Sequence, residues 1–139
     1  MRAVVVDGTS VGAVGTYTFT NVTANHTIAA SFERDPAITI TAPISGTWAR
    51  NTTKTVRWNV TFTPIVGSFR VWATPVAGGA ARAVSTTVVP VVAAPPQSAY
   101  SLSCTMTLPT GNWFLSVYYY DAAGVFKSQN TVQPTITVQ

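Results

Sequence analysis

The chain has 139 residues, is 47% hydrophobic but only 9% charged, and carries a formal net charge of +4. A globular domain usually has about 25% charged residues, so Thr, Ser, Asn and Gln must supply the polar surface, as on the solvent faces of strands in secreted β-proteins. An aromatic content of 11% excludes a disordered chain, the scattered basic residues exclude a nucleic-acid-binding stripe, and no run approaches the roughly 18 apolar residues of a membrane span.

In chain order, Ala3 to Val6 is a short apolar strand closed by the hairpin signal Asp7-Gly8. Tyr17 to Thr20 alternates, Asn21 to Asn25 is turn material, and His26 to Phe32 alternates again. Glu33-Arg34-Asp35-Pro36 then gathers three charges before a proline, which reads as a domain boundary. The expected organisation is a partial β-repeat over 1–33, a linker over 34–36 and a sandwich over 37–139.

Seven strands are expected beyond the linker: Ile38 to Thr41, Thr53 to Thr63, Ser68 to Thr74, Ala81 to Val92, Ala99 to Leu108, Asn112 to Asp121 and Thr131 to Val138. Turn signals separate them at Ile44-Ser-Gly46, Pro64, Gly78-Gly79, Pro95-Pro96, Pro109-Thr-Gly111 and Asp121 to Gly124. Seven short strands in about 100 residues fit an all-β, immunoglobulin-like antiparallel sandwich. Alternation assigns the faces. Val56, Trp58, Val60 and Phe62 point one way, with Arg57, Asn59, Thr61 and Thr63 between them. Tyr100, Leu102, Cys104, Met106 and Leu108 alternate with Ser and Thr. The expected core therefore includes Trp58, Trp113, Leu102, Cys104 and Met106.

The segments VVVDGTSVG, YTFTNVTANHT and IAASF, within residues 4–32, resemble the closing half of an internalin B-repeat-like bacterial extracellular repeat. Members of that family carry further glycine-rich strands upstream of the matching Val4-Val-Val-Asp-Gly8. The resemblance therefore implies a chain that begins inside a repeat, as a piece of a longer surface protein, and whose small sheet cannot close a core of its own. Residues 37–138, through ITITAPISGTWARNTTKTVRWNV, GNWFLSVYYYDAAG and PTITV, are similar to the Ig-like sandwiches of bacterial surface proteins and of fungal Kre9/Knh1-type cell-wall domains. They depart from that pattern at Ala80 to Ser98, where Pro and Ala are dense. This second resemblance implies a cell-surface or glucan-associated module without catalytic residues. The first argues for a prokaryotic source, in which the sequons at Asn21, Asn25, Asn51 and Asn59 are ordinary Thr-rich strand ends.

No enzymatic constellation is expected. Paired-carboxylate chemistry needs two converging acids, and the four present are Asp7, Glu33 and Asp35 at turns or linker and Asp121 at a strand end. His26 is the sole histidine, and no G-x-S-x-G elbow accompanies it. Gly8, Gly12 and Gly15 lack the Lys and helix of a phosphate loop. Cys104 falls on the apolar face of a regular strand, as a quiet core residue. One His and one Cys cannot build a zinc site, and Glu33 and Asp35 are read as solvated charges in preference to calcium ligands. No metal and no cofactor are expected.

The aromatics carry the candidate site. Phe69, Val71 and Ala73 oppose Arg70, Trp72 and Thr74 across one strand; Trp113, Leu115, Val117 and Tyr119 oppose Phe114, Ser116, Tyr118 and Tyr120 across another. If the Leu115 face is core and the two strands are neighbours, Trp72, Arg70, Tyr118, Tyr120 and Phe114 form an aromatic patch on a solvent face. Aromatic area beside polar groups suits stacking on sugar rings. The expectation is a non-catalytic extracellular module of a secreted or surface protein that binds polysaccharide or cell-wall glycan beside neighbouring domains of its parent. The alternative is a structural spacer or adhesin stalk without a ligand, its patch covered by packing.

Overall fold

The computed structural model describes residues 3–32, 34–61, 66–91, 97–130 and 132–139, and the chain is all-β, with no helix among them. It divides into two compact units, Met1–Arg34 and Asp35–Gln139.

The first unit is an antiparallel sheet of β1 (Ala3–Val6), β2 (Thr9–Gly12) and β3 (Ile28–Ser31), with β1 in the middle. Asp7 and Gly8 join β1 to β2 with φ of 48° and 80°, the pair of positive values a two-residue hairpin turn requires. Asp7 also fixes the approach to β3: its carboxylate accepts the Thr27 N–H at 2.8 Å and meets His26 Nδ1 at 2.7 Å. Tyr17 to Thr20 alternates as expected but joins no strand. Its rings pack locally instead, Tyr17 edge-on to Phe19 at 5.0 Å and Phe19 stacked on His26 at 4.8 Å. The strand expected from His26 starts only at Ile28, because His26 and Thr27 are held by Asp7.

The second unit is a two-sheet sandwich. One sheet has the order β10 (Ala99–Thr105), β6 (Thr53–Thr61), β4 (Ala37–Ala42). The other runs β5 (Ser45–Trp48), β13 (Thr135–Val138), β11 (Gly111–Tyr120), β7 (Ser68–Pro75), β8 (Arg82–Ala83), with β9 (Val89–Pro90) also on β7 and β12 (Phe126–Gln129) also on β11. The inner faces share one core. Trp58 and Tyr100 of the first sheet meet Phe69 of the second with ring centres 5.7 and 4.8 Å apart. Trp58, Trp113, Leu102, Cys104 and Met106 are all buried in it, as the alternation predicts. Phe62 to Pro64, Val92, the Pro95-Pro96 turn, Glu33 and Thr131 lie outside the described residues.

Three local expectations are corrected. Ile44-Ser-Gly46 reads as a turn, yet Ser45–Trp48 is a strand, pairing parallel with β13 from Ser45 opposite Thr135 to Trp48 opposite Val138. It buries Trp48 at its end. Ala81 to Val92 is not one strand. Ser85 Oγ accepts the Thr87 N–H at 3.0 Å and turns the chain between β8 and β9, while Val84 is buried in the core. Phe126–Gln129, outside every expected strand, is a strand returning along β11. Among the described residues the unit therefore has ten strands where seven were expected, and one of its pairings is parallel.

Candidate ligand-binding face

β7 and β11 are antiparallel neighbours, with Ser68 opposite Tyr120, Arg70 opposite Tyr118, Trp72 opposite Ser116 and Thr74 opposite Phe114. Directly opposed residues share a face, so these side chains lie on the side away from buried Phe69, Val71, Ala73, Leu115 and Val117. Four of the five candidate residues, Arg70, Trp72, Tyr118 and Tyr120, meet there. The Trp72 and Tyr118 ring centres are 5.9 Å apart at an interplanar angle of 25°, and those of Tyr118 and Tyr120 are 6.4 Å apart at 40°. The Arg70 guanidinium carbon stands 5.0 Å from the centre of the Tyr120 ring, within the range of a cation–π contact.

Sequence reasoning missed a fourth ring. Phe126 of β12 lies 5.2 Å from Tyr118 and 6.1 Å from Tyr120 and is 49% exposed. The available signal was the tight Asp121-Ala-Ala-Gly124 turn after a long strand, which sends the following residues back along that strand. Asp121 builds the turn: its Oδ1 accepts the N–H groups of Ala123 and Val125, each at 2.9 Å, and its Oδ2 meets Lys127 Nζ at 3.1 Å. The Val125 N–H, with Lys127 beside it, holds the Asp121 carboxyl below its ordinary value.

The face is a ridge of mutually tilted rings and not an open plane. Trp72, Tyr118 and Tyr120 are half-buried, and Trp72 Nε1 is shielded without a hydrogen-bond partner among the described residues. Phe114 stands away from the ridge, four residues along β11 between Thr74 and Thr135, and makes no ring contact with it. Ser116, expected on the solvent face, is fully buried. Gln133 Nε2 donates to its hydroxyl at 2.7 Å, and Asn130 beside it reaches the β11 backbone at Val117 N and Leu115 O. Gln133 thus caps Ser116 on the face, while Asn130 binds the backbone edge of β11. An apolar groove of about 450 Å³, floored by Ile38 and Ile40 and rimmed by Ile44 and Val132, shares no residue with the ridge.

Asp7 and His26 have structural partners. Asp7 is occupied by Thr27 and His26, and the Thr27 N–H leads in lowering its pKa. Cys104 is buried, and burial raises its thiol pKa.

No protein-family profile matches the sequence, and no curated protein matches it. Among solved structures, an engineered protein from the Northeast Structural Genomics Consortium aligns over 76% of this chain at 18% identity with a TM-score of 0.46. The chain spans only 20% of that protein's length. A likeness at this level carries no conclusion about function.

Proposed function

We propose that the chain is a non-catalytic extracellular module of a larger secreted or surface protein, binding polysaccharide or cell-wall glycan through Trp72, Tyr118, Tyr120 and Phe126. One observation carries the reading: three strands deliver four rings to one end of a sheet face, with a guanidinium over one of them. Partly exposed aromatic area of this kind is unfavourable in water unless something covers it. Rigid rings bordered by Tyr hydroxyls offer a sugar both stacking area and hydrogen bonds. The strand order supports an immunoglobulin-like sandwich, with the leading segment divided between the two sheets as β4 and β5. The Thr- and Ser-rich outer face of β10 and β6 and the low charge suit an extracellular setting.

A second reading, the structural spacer, is favoured by the mutual packing of the rings and the shielded Trp72 indole N–H. Affinity electrophoresis against glucans, xylans and chitin, with Trp72→Ala alongside wild type, separates the two. A binding role predicts about fivefold to hundredfold weaker retention for the variant, the loss of a stacking anchor worth about 1–3 kcal/mol. Retention that is absent in wild type, or unchanged in a folded Trp72→Ala variant, returns the ridge to packing.

A further inference from the structure

We propose that the glycan taken by this face is acidic, a uronic-acid polymer whose carboxylate pairs with Arg70 while its sugar ring stacks on the adjoining aromatics. The inference rests on the glycan-binding reading and adds a substrate class to it.

Arg70 is exposed, and among the described residues no carboxylate pairs with it. Lys127, the other cation associated with β11 and β12, is held by Asp121. The contact that places Arg70 is the Tyr120 ring, which orients the guanidinium while leaving it free to donate. A guanidinium laid over an aromatic ring keeps its planar fork available, and that fork matches a carboxylate in a bidentate geometry. Its position also fits. Arg70 lies directly across from Tyr118, and Trp72 is two residues along the same strand on the same face, a separation of about 7 Å. The guanidinium itself stands over Tyr120, whose ring centre is 6.4 Å from that of Tyr118, so a sugar ring stacked on Tyr118 can present an exocyclic carboxylate to Arg70. A neutral sugar there would displace water from the cation and return no charge to it.

The charge distribution agrees. Residues 35–139 hold six basic and two acidic side chains, so the sandwich unit carries the entire net charge of +4. A polyanion would be drawn to this unit before any specific contact formed.

The test uses one polymer backbone in two charge states, polygalacturonate and its fully methyl-esterified form, titrated against the full chain at low and high ionic strength. Polygalacturonate should bind about tenfold or more tightly than the ester, as loss of a charge-assisted hydrogen-bonded pair implies. Added salt should erode that preference and not the weaker binding of the ester. Arg70→Gln, whose fold is checked by thermal unfolding, should bring polygalacturonate down to the level of the ester. Arg70→Lys, which keeps the charge and loses the fork, should fall between. Equal binding of both polymers, with both lost in Trp72→Ala, overturns the acidic assignment and leaves the glycan reading standing. A preference for polygalacturonate that survives Arg70→Gln also overturns it, by attributing the effect to general charge. Failure to bind these polymers while a neutral glucan binds removes the acidic class alone; failure to bind any glycan removes both readings.

Discussion

At Gly67 the backbone takes φ of +120°, and a Cβ there would collide with the Tyr120 carbonyl oxygen and come within 2.8 Å of Tyr119 Cε2. The residue sits between two ties: Tyr119 Oη of β11 donates to Val66 O at 2.7 Å, and Val91 N, just past β9, donates to Gly67 O at 3.0 Å. Backbone atoms cannot yield as a flexible side-chain end can, so Gly67→Ala should cost more than about 2 kcal/mol, through overpacking and an unfavourable φ together. Urea unfolding checks this, and a change below half that value would show the loop to be more compliant than its contacts imply. Cys104 tests the register of β10. Burial raises its thiol pKa and shields it, so native protein should resist a thiol-labelling reagent that modifies the urea-unfolded chain readily. Fast native labelling would place Cys104 off the core face, and Leu102 and Met106 with it.

Among the elements, β11 shows how a sheet can be continued by side chains. One of its edges is shared by β13, which pairs over Gly111 to Phe114, and β12, which pairs over Tyr118 to Tyr120. The three residues between have no strand beside them on that edge, and Asn130 and Pro134 bond to them instead. Leu115 N donates to Pro134 O at 2.8 Å, and Val117 N donates to Asn130 Oδ1 at 2.6 Å. Asn130 Nδ2 donates in turn to Leu115 O at 3.3 Å and Val132 O at 2.8 Å. Asn130 is buried, so its removal would strand the Val117 N–H away from water. Asn130→Ala should therefore cost about 1–3 kcal/mol, and hydrogen exchange should show the Val117 amide losing protection before those of Trp58 or Leu102. Uniform loss of protection across both sheets would instead make Asn130 a determinant of global packing.

For the whole molecule, the decisive fact is where the buried surface lies. Every residue of the main hydrophobic cluster, from Ile38 to Val138, belongs to the sandwich unit. The unit over residues 1–34 buries Val4 and Val6 in a three-stranded sheet, and a sheet of that size is marginal by itself. A fragment of residues 35–139 should therefore keep a single cooperative thermal transition within a few degrees of the full chain, a shift equivalent to about 1 kcal/mol or less. A peptide of residues 1–34 should show no cooperative transition. If the 35–139 fragment failed to fold, the first unit would have to contribute to the second's stability.

Period-two alternation in the sequence determined the core and the two faces of the long strands. That signal is local, because each side chain's direction follows from its own strand; hence Trp58, Phe69, Leu102, Leu115 and Val117 were legible as interior residues, and Trp72, Arg70, Tyr118 and Tyr120 as companions on the opposite face. What the outer face meets is not local. The parallel addition of β5 to β13 and the hydrogen bond of Gln133 to Ser116 join residues that no local pattern links, while the short return of β12 with Phe126 becomes visible only once its pairing with β11 is formed. Their sequences, Ser-Gly-Thr-Trp and Phe-Lys-Ser-Gln among them, carry no strong period of their own. Tertiary pairing alone decided that the aromatic face is a half-covered ridge at one end of the sheet, since polar side chains take their places from whichever backbone groups a neighbouring strand leaves unpaired.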